Sequence, residues 1–193
     1  RPPGHHATKD KGMGFCIYNH AAIAAKYLQH KYSLSRLLII DFDVHHGNGT
    51  QDIFYDDPSV FYFSIHQHPF YPGSGRPSER GSGAGEGATL NIDLPEGAGD
   101  EEFIQGIKTH LIPKMMAFKP EFILISAGFD AHQGDLLGRL AYTSRGYKEV
   151  AKMINSMQKQ YQAKGIIYML EGGYVPENID EASRAIIEEL FTL

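Results

Sequence analysis

The sequence has little cysteine, no run of basic residues and no long apolar stretch. Cys16 is the only cysteine, so neither an intramolecular disulfide nor a zinc site built from several cysteines can form. We therefore expect a reducing, cytoplasmic setting. The net charge of −5, from 18 basic and 23 acidic residues, argues against nucleic acid as a direct partner. The absence of any segment resembling a membrane span or a signal peptide predicts no membrane partner.

The length and the two ends of the sequence bear on domain organisation. A chain of 193 residues can form a single domain with a substantial core, and no linker or internal repeat divides it. The chain begins at Arg1 without a methionine and ends within a predicted helix. These features suggest that the chain is a fragment.

Histidine is plentiful where cysteine is scarce. The chain has ten histidines, and two adjacent pairs, His5-His6 and His45-His46, contain four of them. Histidine ligates metals and transfers protons near neutral pH, so this composition points to metal or proton chemistry.

Predicted strands and helices alternate along the chain. Apolar, β-branched runs predict strands over residues 37–44, 60–66, 89–94, 122–126 and 165–170. Helical periodicity predicts helices over 20–31, 50–55, 100–112, 147–161 and 179–190, with Pro113 kinking or breaking the third. This order predicts a three-layer α/β fold, in which helices cover both faces of a mainly parallel sheet.

Residues 67–88 form the longest predicted irregular segment, rich in proline and glycine. Loops of this length are usually functional or disordered. Its glycine-rich part, 81–85, is not followed by Gly-Lys-Ser/Thr, so we reject a phosphate-binding loop. Phe70 and Tyr71, beside Pro72, look more like an aromatic wall.

Asp41, Asp43 and His45 follow the apolar run 37–40 at every second position. On a continuing strand they would project to one side, at the carboxyl end of a parallel strand, where ligands bind. Carboxylates and a neutral imidazole are suitable zinc ligands. Taken alone, however, the motif fits equally well a strand end with solvated acids and surface histidines.

Two further predicted strands also end in polar side chains, Asp130 and Tyr174. Because the carboxyl ends of parallel strands share one edge, these residues can converge with the first cluster. Asp43, His45 and Asp130 would give zinc three protein ligands and leave room for water and a substrate carbonyl, as in catalytic zinc sites.

Proton transfer requires additional groups, and the N-terminal loop offers His5 and His6. Either histidine could take a proton from water and return it to a leaving amine. A flexible terminal tail is the competing interpretation of this segment. Tyr174, on a Gly-Gly turn, could donate a hydrogen bond to an oxyanion. Together these groups describe hydrolysis of an amide.

Six stretches of the sequence, taken together, carry a family resemblance. They are GHHA at 4–7, GFC at 14–16, DFDVHHGNG at 41–49, YPGSG at 71–75, AGFDAH at 127–132 and LEGGY at 170–174. In this order they resemble the zinc-dependent histone deacetylase family, which includes bacterial acetylpolyamine and acetoin-utilisation relatives. Asn48 and the Glu-Gly-Gly-Tyr spelling are similar to the class II side of that family.

The resemblance implies an arginase/deacetylase-like fold and a catalytic apparatus. It assigns the zinc to Asp43, His45 and Asp130. It also implies that His6 is the general base and acid, with His5 as its electrostatic partner.

The resemblance further implies residues that support this apparatus. Asp41 would orient His5, and Asn48 would orient the other histidine. A monovalent cation, K⁺ or Na⁺, would have two sites. The first would use Asp41, Asp43 and His45 with backbone groups of Ser64 and Ile65. The second would use Phe54, Asp57 and Val60.

The implied substrate is an acetylated protein or a small acyl-amine. Phe15 and Tyr71 would line the channel for the acyl-lysine methylenes, and Gly14 and Gly172 belong to the same substrate site. Leu137 would lie near the channel mouth, where polyamine-selective relatives have an acidic residue. The leucine favours acyl-lysine over an acetylpolyamine.

Two alternatives accompany this interpretation. Family members have a long segment before the position of Gly4, so the 193 residues are expected to be a single catalytic domain lacking its N-terminal portion. The first alternative is that such a truncated domain binds metal or a partner without turnover. A two-manganese ureohydrolase needs paired D-x-H-x-D motifs, whereas only one D-x-D-x-H cluster occurs here.

Overall fold

The computed structural model describes residues 1–191 and contains one sheet of five parallel strands. The strands are β1 (Leu37–Asp41), β2 (Val60–Gln67), β3 (Thr89–Leu94), β4 (Phe122–Ala127) and β5 (Ile166–Leu170). Their order across the sheet is β3-β2-β1-β4-β5. The helices are α1 (His20–Tyr32), α2 (Asn48–Phe54), α3 (Asp100–Gln105), α4 (Ile112–Phe118), α5 (Ser144–Tyr161) and α6 (Pro176–Leu190).

The helices pack on both faces of this sheet, which confirms the predicted α/β architecture. Leu38 and Ile40 of β1 belong to a core cluster that also contains residues of α3, α5 and α6. Leu37 and Ile39 belong to a second cluster, on the face covered by α1. Successive side chains of a strand point to opposite faces, so a fully apolar β1 supplies both layers.

The prediction that the first strand continues to residue 44 is wrong, because β1 ends at Asp41. The amide of Phe42 still donates to the carbonyl of Ser126 in β4 at 3.2 Å, but from Asp43 onward side chains replace sheet partners as hydrogen-bond acceptors. The amide of Asp43 donates to Oδ1 of Asp41 at 3.2 Å, and the amide of His45 donates to Oδ1 of Asp43 at 2.9 Å. Such local bonds compete with the strand and bend the backbone.

The helical run continues past Pro113, but the segment just before α4 is π-helical. A π-helical segment, Gly106–Leu111, connects α3 to α4, and the proline lies in the first turn of α4.

Parallel pairing brings three strand ends to one edge. Asp41 of β1 is in register with Ser126 of β4, and Ala127 of β4 is in register with Leu170 of β5. The segments that follow these strands therefore start side by side.

Among the helices within residues 1–191, none is long and apolar enough to cross a membrane.

Candidate active site

Asp43, His45 and Asp130 form a compact group of potential metal ligands. One ligand atom from each residue lies within 4.8 Å of the others, and all three residues are buried. Nδ1 of His45 lies 3.0 Å from Oδ1 of Asp43 and 3.2 Å from Oδ2 of Asp130. The sequence predicted this convergence, although Asp43 and His45 reach the site from a bend after β1 and not from the strand.

The surroundings of the three ligands fit a metal ion. Oδ2 of Asp130 is buried and, apart from its 3.2 Å contact with Nδ1 of His45, has no hydrogen-bond partner among the described residues. The backbone of Gly172 approaches so closely that an added Cβ would collide with the carboxylates of Asp130 and Asp43. One imidazole nitrogen and two carboxylate oxygens are a donor set that zinc accepts.

The charges at this group also favour a cation. Burial, together with the adjacent Asp43, raises the pKa of Asp130 to about 7. Burial opposes protonation of His45, but Asp130 and Asp43 outweigh it and raise the pKa of His45 to about 10. Two buried carboxylates thus attract positive charge, either a proton on His45 or a metal ion.

The N-terminal histidines are buried, so the interpretation of this segment as a flexible tail is wrong. His5 and His6 are 2% and 3% exposed. The loop that contains them is attached to α2, since the amide of Thr50 donates to the carbonyl of His5 at 3.1 Å. The side chain of Asn19, at the start of α1, donates to the carbonyl of Ala7 at 3.1 Å.

The two histidines differ in their partners. Nδ1 of His5 lies 3.0 Å from Oδ2 of Asp41, while Nδ1 of His6 lies 2.8 Å from Oδ1 of Asn48. Burial opposes protonation of His5, but Asp41 and Asp43 outweigh it and raise its pKa well above the usual value. Burial and the neighbouring His5 lower the pKa of His6 to about 3. Near neutral pH, His5 therefore holds a proton that His6 lacks.

Aromatic side chains lie on the outer side of His6. The ring of Tyr71 meets that of His6 edge to face, with centroids 5.1 Å apart. Phe15 is 71% exposed, and its ring lies 6.5 Å from the ring of Tyr174. Gly14 has a φ of +56° and lies so close to the imidazole of His6 that an added Cβ would collide with it. Two of the residues assigned to the substrate channel, Gly14 and Tyr71, therefore lie directly against this histidine.

Tyr174 lies on a turn that two aspartates hold. The amide of Gly172 donates to Oδ2 of Asp43 at 2.8 Å, and the amide of Tyr174 donates to Oδ2 of Asp135 at 2.8 Å. The other oxygen of Asp135 accepts from the amide of Leu137 at 2.9 Å, which ties the exposed rim to the same carboxylate. Burial, with Asp130 and Asp43 nearby, raises the pKa of Tyr174, so its hydroxyl stays protonated as a donor.

The residues assigned to monovalent cations lie in two places. Ser64 and Ile65 are on β2, where Ser64 is in register with Asp41. Phe54, Asp57 and Val60 lie at the turn between α2 and β2. There the Asp57 carboxylate already accepts from Nζ of Lys26 at 2.8 Å. The second group can therefore offer backbone carbonyls more readily than a free carboxylate.

Two carboxylates of the site, Asp135 and Glu171, were not predicted as site residues from the sequence. No role is assigned to Asp135 from the sequence, and Glu171 appears there only within the motif at 170–174. Glu171 is 1% exposed and accepts hydrogen bonds from the amides of Gly4 and His5. The position of Glu171 could have indicated a site residue, because it directly follows an apolar run, just as Asp41 directly follows the run 37–40.

A parallel sheet with an Asp-His-Asp group and a histidine pair at its carboxyl edge defines the class of protein. The histone deacetylase domain family matches residues 1–190, and the chain belongs to that family. Histone deacetylase 14, chloroplastic, of Arabidopsis thaliana is 44% identical, over 100% of this chain and 45% of its own length. A probable deacetylase of Archaeoglobus fulgidus is 48% identical, over 92% of this chain and 49% of its own.

Human and structural relatives agree with this assignment. Histone deacetylase 9 of Homo sapiens is 44% identical over 98% of this chain, which covers 19% of that protein. A crystal structure of the HDA15 HD domain superposes with a TM-score of 0.91 at 42% identity, covering 98% of this chain and 53% of that chain. The fold is thus of the deacetylase type. The chain spans less than half of the length of these curated relatives.

Proposed function

We propose that the chain is the catalytic part of a zinc-dependent amidohydrolase that removes acetyl or other acyl groups from lysine side chains or similar N-acyl amines. The observation that carries this proposal is the buried Asp43-His45-Asp130 group. The imidazole of a neutral His6 lies beside it, with ring centroids of His6 and His45 5.8 Å apart. Membership of the histone deacetylase family supports the same reaction.

Asp43, His45 and Asp130 would hold the zinc ion through one atom each. A zinc ion bound there would supply Lewis acidity toward the amide carbonyl and lower the pKa of water. Asp43 has a further task, because its Oδ2 also accepts from the amide of Gly172 at 2.8 Å and so fixes the turn that leads to Tyr174.

His6 is proposed as the residue that moves protons. Its free imidazole nitrogen can accept the proton of the attacking water and later deliver it to the departing amine. Asn48 orients the ring through Nδ1 without adding charge. His5, paired with Asp41, is proposed to remain an imidazolium, whose charge stabilises the developing negative charge.

Tyr174 is proposed as the donor to the oxyanion. Its turn is fixed by Asp43 and Asp135, which reduces the cost of aligning the hydroxyl during the reaction. Gly172 leaves room beside the two metal-binding carboxylates, which supports its assignment to the substrate site.

The substrate is proposed to enter between Phe15 and Tyr71, with its acyl group toward the zinc ligands. Gly14 allows the loop to lie against His6 without a side chain in between. Leu137, 44% exposed at the rim, offers no charge to a second ammonium, which supports acyl-lysine over an acetylpolyamine.

Cation binding, domain organisation and location complete the proposal. The site near Asp41, Ser64 and Ile65 and the site near Phe54, Asp57 and Val60 would each hold K⁺ or Na⁺. Residues 1–193 would belong to one catalytic domain. A cytoplasmic location is supported by the single cysteine, although the names of two plant relatives assign those proteins to chloroplasts.

The decisive experiment measures deacetylation of a fluorogenic acetyl-lysine peptide by the purified chain, before and after chelation and after zinc is restored. We expect turnover that the chelator abolishes and zinc restores. An acetylated polyamine serves as the competing substrate. Faster turnover of the polyamine would favour the polyamine alternative. Zinc binding without turnover of either substrate would favour the non-catalytic interpretation.

A further inference from the structure

The buried carboxylate of Glu171 connects the end of β5 with the loop of the two histidines. One oxygen accepts from the amide of Gly4 at 2.6 Å and from the amide of His5 at 3.1 Å. The other oxygen accepts from the hydroxyl of Ser126 at 2.9 Å. The contact with Gly4 joins positions 167 residues apart.

These three donors explain how the charge can be buried. An ionised carboxylate removed from water is costly unless hydrogen bonds compensate it, and charge-assisted bonds are roughly twice as strong as neutral ones. The amide of Glu171 donates to the carbonyl of Ala127 at 3.0 Å, so the backbone of this residue is tied to β4. The carboxylate therefore projects from a rigid support.

The position of this carboxylate relates it to both halves of the site. Its backbone is three residues before Tyr174, and its side chain fixes the backbone of His5, directly before His6. Displacing a catalytic group by about 1 Å can lower a rate about a hundredfold. We propose that Glu171 is a positioning residue that sets the two histidines relative to Tyr174. This inference rests on the proposed function.

Glu121 provides a control within the same chain, with similar hydrogen bonds but a partly exposed carboxylate that lies 3.4 Å from Nη2 of Arg36. Its carboxylate also accepts from two consecutive backbone amides and one serine hydroxyl. The distances are 2.7 Å from the amide of Ser35, 3.0 Å from the amide of Arg36 and 3.1 Å from the hydroxyl of Ser35. Glu121 directly precedes β4, so it lies at the amino edge of the sheet, opposite the site.

The first test follows amide hydrogen exchange, which does not depend on catalysis. In Glu171→Ala the amides of Gly4 and His5 lose their acceptor, and we expect both to exchange at least about tenfold faster. Glu171→Gln keeps an oxygen but not the charge, so a smaller acceleration is expected. Glu121→Ala should leave both amides at the wild-type rate. If Glu171→Ala does not fold, the exchange rates of the two amides in Glu171→Gln decide the test.

The second test separates positioning from a general loss of stability. We expect Glu171→Ala to lower kcat about a hundredfold and Glu171→Gln about tenfold, with KM within about threefold of wild type. In a His6→Ala background, Glu171→Gln should cause a clearly smaller loss than in the wild-type protein, because the part of its effect that acts through His6 is already gone. Glu121→Ala should keep the wild-type kcat.

The results that would overturn the inference are specific. Unchanged exchange at Gly4 and His5 in the folded Glu171 variants would show that the carboxylate does not hold the loop. A full additional loss of kcat in the His6→Ala background would assign Glu171 a structural role only. If the wild-type chain deacetylates nothing, the proposed function fails, while amide exchange still decides whether Glu171 positions the histidines.

Discussion

The neutral partner of His6 can be converted into a charged one by the substitution Asn48→Asp. Oδ1 of Asn48 lies 2.8 Å from Nδ1 of His6, so an aspartate would place a carboxylate at hydrogen-bond distance from the ring. His5 already has such a partner in Asp41, at 3.0 Å, and its pKa is raised. The variant would give His6 the environment of its neighbour.

The magnitude of the effect follows from Coulomb's law. Opposite unit charges about 4 Å apart attract by about 4 kcal/mol at an effective dielectric constant near 20, equal to about three pKa units. The pKa of His6 is about 3, from burial and from His5. It should therefore rise to about 6 in the variant. A base whose pKa rises becomes protonated at a higher pH. The fall of the rate on the acidic side of the pH–rate profile must therefore move to higher pH.

The assay is the pH profile of kcat/KM between about pH 5 and pH 8, with bound metal measured at each pH. The wild-type protein should retain the neutral base across this range. In Asn48→Asp the rate should fall below pH 6, to about a tenth of its plateau at pH 5. Asn48→Leu, similar in shape but uncharged, should lower the rate at every pH without moving the limb. Identical limbs in wild type and Asn48→Asp would refute His6 as the proton acceptor.

Four further outcomes are expected. Asp130→Ala should lose zinc, and elemental analysis that finds one zinc per chain in this variant would remove Asp130 from the site. Tyr174→Phe should keep zinc and substrate affinity but lower kcat about a hundredfold to a thousandfold, and a near-normal rate would mean that the hydroxyl points elsewhere. His6→Ala should reduce single-turnover rates more than His5→Ala. A larger loss in His5→Ala would show that the roles assigned to the two histidines must be exchanged. Asp135→Ala should lower kcat, and its effect should largely disappear in a Tyr174→Phe background, whereas additive losses would separate the two residues.

Local sequence patterns were sufficient for the strands, the helices and the α/β class. The run from Leu37 to Ile40 is apolar at every position and rich in branched side chains, which is typical of a strand covered on both faces. Acidic side chains directly after such runs pointed to the carboxyl edge. The prediction failed after Asp41, because side-chain acceptors on Asp41 and Asp43 satisfy the following amides and bend the chain out of the sheet.

Composition could not distinguish His5 from His6, since both are the same residue type in one loop. Their difference comes from Asp41, 36 positions away from His5, and Asn48, 42 positions away from His6. The link from Glu171 to the histidine loop likewise spans the chain. Periodicity reports the face on which a residue lies, so the sequence by itself determined the layers and the edge that collects the polar residues. Only the tertiary structure decided which polar groups meet there, because pKa values and hydrogen bonds depend on neighbours that folding brings together.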